Sequence, residues 1–122
     1  MPLHTAIDHE RQRVTFTWTA PADLADIRLA LHRQATEKAW GYGVIHDTRA
    51  VNPDPAKLKN YVELIREMCL EYGPRGPVAL VVAPGTIGSA NRFALHRASD
   101  GHDTQVFWDR DEAVDWLEQR AA

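Results

Sequence analysis

The sequence predicts an α/β domain built on a mostly parallel sheet of about five strands. Three observations carry this expectation. Residues 78–82 (VALVV) contain no polar side chain, as befits a strand covered on both faces in the middle of a parallel sheet. Strand-like runs alternate with stretches of helical periodicity, and parallel strands need such crossovers. The chain then closes on residues 105–117 (QVFWDRDEAVDWL), where a short aromatic strand passes through an acidic cap into an amphipathic helix.

Each element has its own local reason. Leu3–Asp8 reads as a short first strand, and residues 9–12 as a polar turn. From Arg13 to Thr19 the chain alternates, with Val14, Phe16 and Trp18 on one face and Thr15, Thr17 and Thr19 on the other. That pattern marks a half-buried strand, antiparallel to the first. Pro21 and Asp23 open a helix that carries Leu24, Ile27 and Leu31 on one side, and Gly41 after Trp40 marks its stop. Gly43–Asp47 (GVIHD) is the next strand. Asn52-Pro53-Asp54-Pro55 forms a turn with Pro55 at the first helical position. The helix it starts runs to about Tyr72, with Leu58, Tyr61, Val62, Ile65, Met68, Cys69 and Tyr72 as one apolar stripe. Residues 73–77 (GPRGP) break it. After the strand at 78–82, residues 84–89 form a loop and residues 90–98 a helix, ended by Ser99-Asp100-Gly101. In the last helix Asp109 is the N-cap, Glu112 completes a capping box, and Ala113, Trp116 and Leu117 face the core. The order is β-β-α-β-α-β-α-β-α, with four helices and an antiparallel edge hairpin.

Composition bounds the function. A chain of 122 residues is one domain. It carries 14 basic and 17 acidic side chains, a formal net charge of −3, which argues against a general nucleic-acid binder. Its single cysteine, Cys69, permits no internal disulfide. The first residues, MPLHTAIDHER, do not read as a signal peptide, and no run approaches the roughly 20 apolar residues of a membrane helix. The chain is therefore expected in the cytoplasm, with no membrane span.

Several short motifs, taken together, resemble the SpoIIAA-like proteins of the STAS superfamily. The closing pattern formed by Val106, Phe107, Asp109, Glu112, Ala113, Trp116 and Leu117 is similar to that family's last strand and helix. Val44-Ile45-His46-Asp47 resembles its central strand ending in aspartate, residues 78–82 its second central strand, and Gly88, Arg92 and Phe93 a G-x-x-x-R-F pattern in its third helix. The resemblance spans nearly the whole chain. It implies an STAS-like domain used for binding and regulation, without a cofactor. Anti-sigma-factor antagonists of the superfamily carry a phosphorylatable hydroxyl after the central strand, in an Asp-Ser-Ser-Gly-like context. Here Asp47 matches, no Ser-Ser-Gly follows, and Thr48 is the one hydroxyl at that place. The looser SpoIIAA-like branch, some members of which are compared with lipid-binding CRAL-TRIO domains, is the nearer match.

In an open parallel sheet, ligands bind beyond the carboxyl ends of the strands. That rule selects Asp47, Thr48, Arg49, Gly85, Thr86, Ser89, Arg92 and Trp108 as candidate ligand-binding residues. The loop at 84–89 has two glycines and two hydroxyls before a helix, a setting that suits an anion, and Arg49 and Arg92 would add charge. Its glycines match no dinucleotide or P-loop fingerprint, so the plain alternative is a connection with Ser89 as an N-cap. His46 beside Asp47 offers an imidazole raised toward neutrality by a carboxylate, and with it a small hydrolase or isomerase. Its competitor is a histidine packed in the sheet. His96, Asp100, His102 and Asp103 cluster in sequence but lack the i, i+4 spacing of a helical metal site. Cys69 on an apolar stripe reads as structural, and Asp109 with Glu112 as a cap. No catalytic or metal-binding residues are assigned. The leading expectation is a non-enzymatic module binding a small apolar or anionic ligand or a protein partner. The alternatives are an enzyme at His46 and Asp47 and a phosphoswitch at Thr48. Trp40 and Trp108 are left open between core, pocket and interface. A homodimer through an edge strand or an aromatic surface is the default assembly.

Overall fold

The computed structural model describes residues 2–51, 58–86 and 103–121. Five strands form one sheet in the order β1-β2-β3-β4-β5: β1 (Leu3–Asp8), β2 (Arg13–Trp18), β3 (Gly43–Asp47), β4 (Val78–Val81) and β5 (Thr104–Phe107). β1 and β2 are antiparallel, with Leu3 opposite Trp18. The three other pairings are parallel. Helices α1 (Leu24–Thr36), α2 (Leu58–Tyr72) and α3 (Arg110–Ala121) complete the described elements. The helix expected at 90–98 lies outside the described residues. Among those described, no helix is long and apolar enough to cross a membrane.

The layering follows from the strand order. Each crossover steps the same way along the sheet, and crossovers of one hand that never reverse keep their helices on one face. α1 and α2 share that face. Ile27 and Leu31 of α1, with Leu64, Ile65 and Met68 of α2, are buried in one cluster with Val14, Phe16, Trp18, Val44, Val78 and Leu80. α3 follows the last strand and takes the opposite face, where Ala113, Trp116 and Leu117 pack on Ile45, Ala79 and Val81. The consecutive apolar residues of β3 and β4 are thus covered on both sides. α3 lies against β3, β4 and β5. The same face of β1 and β2 carries His4, Ala6, Asp8, Arg13, Thr15 and Thr17, so the threonine side of the alternation is the polar one.

One helix boundary, the end of α1, and the capping box expected of Asp109 and Glu112 differ from expectation. α1 ends at Thr36, well before Gly41. Its carbonyls are closed by the Lys38 N–H on the Ala35 carbonyl at 3.1 Å and the Ala39 N–H on the Gln34 carbonyl at 2.9 Å. These are the two bonds of a Schellman motif, and Lys38 holds its left-handed position at φ 61°. Gln34 is fully buried at this turn and donates from Nε2 to the Ala39 carbonyl at 3.0 Å. Gly41 has open space where a Cβ would project, and the close approach here constrains Gly76 instead. The Gly41 carbonyl, with that of Tyr42, lies where a side chain on Gly76 would stand. The complete capping box also falls elsewhere. At the start of α1 the Asp26 N–H donates to Asp23 Oδ1 at 2.9 Å, and the Asp23 N–H donates to Asp26 Oδ2 at 3.3 Å. Asp109 caps α3 by accepting from the Asp111 N–H at 3.0 Å.

Candidate functional site

The carboxyl ends of the strands are the first place to look. β3 ends on Asp47, whose side chain is buried and whose position one residue past His46 turns it to the opposite sheet face. The chain then turns sharply. The Thr48 N–H donates to the Val81 carbonyl at 2.9 Å, and the Val51 N–H donates to the Thr48 carbonyl at 3.1 Å. This turn brings Arg49 back over the strand end. Arg49 Nε donates to Asp47 Oδ1 at 2.9 Å, and Nη2 to Oδ2 at 2.8 Å. Its backbone N–H adds a third bond to Oδ1 at 3.3 Å. A two-pronged guanidinium–carboxylate contact is among the stronger polar pairings a protein makes. The hydrogen bonds from the Arg49 side chain hold the Asp47 carboxyl below the usual carboxylate range. Burial opposes this, while the Arg49 backbone N–H and the charges of Arg49 and Arg110 reinforce it.

β5 delivers the other half of this rim. Phe107 turns inward against Trp116, with ring centroids 5.6 Å apart. That anchors the strand end, and Trp108 emerges from it 60% exposed. Asp109 and Arg110 follow at once. Asp109 adds its negative charge to the field at Arg49, and Arg110 its positive charge to the field at Asp47. The rim therefore holds a fixed guanidinium–carboxylate pair, two further charges of opposite sign and an indole facing water. The short 3-10 turn Pro84–Thr86 lies after β4, with Gly85 exposed and nothing within 4 Å of where a Cβ would project from it. Of the sequence-derived candidates, Asp47, Arg49 and Trp108 are placed on this rim. Gly85 and Thr86 lie in the turn after β4, and Ser89 and Arg92 lie outside the described residues. Arg110 was missed, because at the second place of a helix-opening Asp-Arg-Asp it reads as a solvated charge.

Two expectations are corrected by geometry. His46 and Asp47 do not form a pair. His46 faces the α1–α2 side, stacked on Phe16 at 4.9 Å, and its Nδ1 accepts from Trp18 Nε1 at 3.3 Å. Burial, helped by the positive charge of Arg75, lowers its pKa to about 3. The proton sits on Nε2, the ring is neutral at physiological pH, and no carboxylate orients it. The carboxylate that the sequence puts next to it is engaged by Arg49 on the other face. Thr48 is no accessible hydroxyl either. It is buried, and its Oγ1 donates to the Val81 carbonyl at 3.1 Å, pinning the loop to β4. A kinase would have to open that turn to reach it.

The amino ends of the strands carry a depression of about 480 Å³, bordered by Arg11, Arg13, Tyr42, Leu117, Glu118 and Arg120 among others. Its guanidinium groups are each met by a carboxylate: Arg13 by Glu118 at 3.4 Å, Arg120 by Asp103 at 2.8 Å, and Arg11 by Asp8 at 3.9 Å. Arg120 also lies over the Trp116 ring at 4.9 Å. This end is built for cohesion, and it presents no exposed aromatic comparable with Trp108. Asp103 is thereby engaged by Arg120, while His96, Asp100 and His102, its neighbours in the sequence cluster, lie outside the described residues. Among the described residues, no three His, Cys, Asp or Glu side chains are grouped to hold a metal ion. Cys69 is a free, part-buried thiol. Comparison with family models, with characterised proteins and with solved structures found no match to this chain.

Proposed function

We propose that this chain is a non-enzymatic binding module, of the kind its resemblance to SpoIIAA-like domains implies, and that it engages a protein partner through the carboxyl rim of its sheet. The observation that carries this reading is Trp108, left 60% exposed at the end of β5, on the same carboxyl rim as the Asp47–Arg49 pair but across β4 from it. Covering an indole so exposed removes a large apolar area from water on binding. Tryptophan and arginine are also the residues that dominate protein–protein binding energy. The opening antiparallel pair, the parallel remainder of the sheet and the acidic start of α3 all support the family reading. The neutral, sheet-packed His46 and the sealed Thr48 weigh against the enzymatic and phosphoswitch alternatives.

The test has two arms. The immobilised chain is exposed to lysate from its own source, and partners identified by mass spectrometry are purified and titrated against wild type, Trp108→Ala and Arg49→Ala. Trp108→Ala is expected to weaken binding by more than tenfold, on the order of 2 kcal/mol for a central aromatic anchor. In parallel, thermal-shift measurements with small anionic and apolar compounds address a ligand at Arg49 and Arg110. A partner that binds both variants as it binds wild type would overturn the assignment of this rim. So would a protein that captures no partner and shifts with no compound.

A further inference from the structure

β1 is an edge of the sheet. The Thr19 N–H donates to the Pro2 carbonyl at 2.9 Å, continuing the register that sets Leu3 opposite Trp18. In an antiparallel ladder, residues whose backbone groups face the partner alternate with residues whose groups face away. Pro2, His4, Ala6 and Asp8 therefore face β2, and the N–H and C=O groups of Leu3, Thr5 and Ile7 point outward. Among the described residues, β2 is the one strand that pairs with β1. The strand lacks the usual guards of an edge. LHTAID contains no lysine and no proline, and its register with β2 runs unbroken, without a bulge. Between β1 and α1 runs a groove of about 670 Å³, lined by Leu3, Thr5, Leu29 and Ala30 among others. Leu29 is 61% exposed there.

We propose that β1 pairs antiparallel with β1 of a second copy, about a two-fold axis through Ala6. Opposed residues of two strands share a face, so a two-fold pairing must centre on a residue, either Thr5 or Ala6. A Thr5 centre sets His4 against Ala6 and leaves Asp8 without an opposite number in the strand. An Ala6 centre sets His4 against Asp8 on both sides of the axis, bringing an imidazole and a carboxylate together, both exposed in the single chain. The hydrogen-bonding pairs are then Thr5 with Ile7, whose backbone groups are among those left outward. Ala6, the smallest side chain of the strand, falls on the axis at a non-hydrogen-bonded position, where side chains come closest. Asp8 keeps capacity at Oδ2 for a further partner. Its Oδ1 accepts from the Arg11 N–H at 3.1 Å, while Oδ2 has a loose 3.9 Å contact with the Arg11 side chain. α1 and its copy then flank the axis on one face, and Leu29 is covered. The occupant is a second copy because the edge complements itself about its own centre, an exposed imidazole that can donate meeting an exposed carboxylate that can accept. This pairing does not depend on any role for Trp108.

Sedimentation and cross-linking test the proposal. At about 100 μM the chain is expected to show twice its 13.8 kDa mass. Ala6→Glu places two carboxylates on the axis, and Leu29→Glu charges the flanking groove. Each is expected to raise the dimer dissociation constant by at least tenfold. Both positions are exposed in the single chain, and circular dichroism checks that each variant keeps its fold. The register has its own readout. In a Cys69→Ser background, Ala6→Cys is expected to form an intermolecular disulfide, because a directly opposed pair lies within disulfide reach. Thr5→Cys is not, because the two copies of Thr5 are diagonal in this register. A wild-type chain that stays monomeric would overturn the proposal. So would a dimer indifferent to Ala6→Glu and Leu29→Glu, or a Thr5→Cys chain that cross-links as readily as Ala6→Cys.

Discussion

Acidification should destabilise this protein through His46 before it affects the carboxylates. In the unfolded chain a histidine titrates near 6.5, whereas in the fold His46 is lowered to about 3. Between these values the unfolded chain binds a proton that the folded chain refuses. The contribution of the neutral ring is fully present above pH 6.5 and is lost as pH falls from there toward 3. The size follows from the two constants. Moving from pH 7.5 to pH 5 costs about 2 kcal/mol, since each unit inside the window is worth up to about 1.4 kcal/mol. That is a large share of the stability of a small domain, which is on the order of 5–15 kcal/mol. The assay is urea unfolding followed by tryptophan fluorescence at several pH values, for wild type and for His46→Gln. Glutamine keeps an acceptor for Trp18 Nε1 and has no charge to gain. Comparing the two slopes cancels every other titrating group. Asp47 lies outside the window, because a carboxylate held low contributes above its unfolded value near 3.9 and is lost only below it. Equal pH dependence in both proteins would refute the reasoning, as would a His46 ring resonance that titrates near 6.5 in the folded state.

The other predictions concern the backbone and the rim. Lys38→Gly should stabilise by about 1 kcal/mol in thermal or urea unfolding, since Lys38 holds a left-handed conformation (φ 61°) that costs an L-residue roughly that much. Gly76→Ala should do the reverse, by about 2 kcal/mol or more. Its Cβ would lie 2.5 Å from the Tyr42 carbonyl oxygen and closer still to that of Gly41, both backbone atoms with little room to retreat. Asp47→Asn should cost about 1–2 kcal/mol at neutral pH by breaking the two-pronged contact with Arg49. That loss should vanish below pH 3, where the wild-type carboxyl also becomes neutral, and unfolding measured across that range checks it.

Much of the fold was legible because it rests on periodicity. The alternation of Val14, Phe16 and Trp18 announces a strand with one wet face. The run at 78–82 announces one with none, and Ala113, Trp116 and Leu117 lie as their spacing demands. What was illegible depends on where the chain goes next. Lys38 ends α1 because the Schellman bonds close there, although lysine has no intrinsic taste for that conformation. Gly41 looks like a helix stop and is in fact half of a close backbone approach to Gly76. The rim shows the same division. Trp108 and Asp47 could be placed at strand ends from sequence alone. The grip of Arg49 on Asp47 required the tight turn at Thr48, and the separation of His46 from Asp47 required knowing that Trp18 and Phe16 lie across from the imidazole. Adjacency in sequence suggested a pair, and strand pleating set the two residues on opposite faces.

The strand order has a consequence for how the molecule comes into being. No strand is inserted between two earlier ones, so each new strand leaving the ribosome finds its neighbour already made. Only the β1–β2 hairpin is local in sequence; the parallel pairings, such as Val44 with Val78, wait for a whole crossover and close more slowly. The second face follows a different schedule. Ile45, Ala79 and Val81 are sealed by α3, the last described element to be synthesised, and until it docks the middle of the sheet is bare on that side. The nascent chain therefore passes through an interval in which a half-covered sheet with an open β1 edge faces the cell. Exposed apolar surface and an unpaired strand edge together are the condition that favours aggregation during folding.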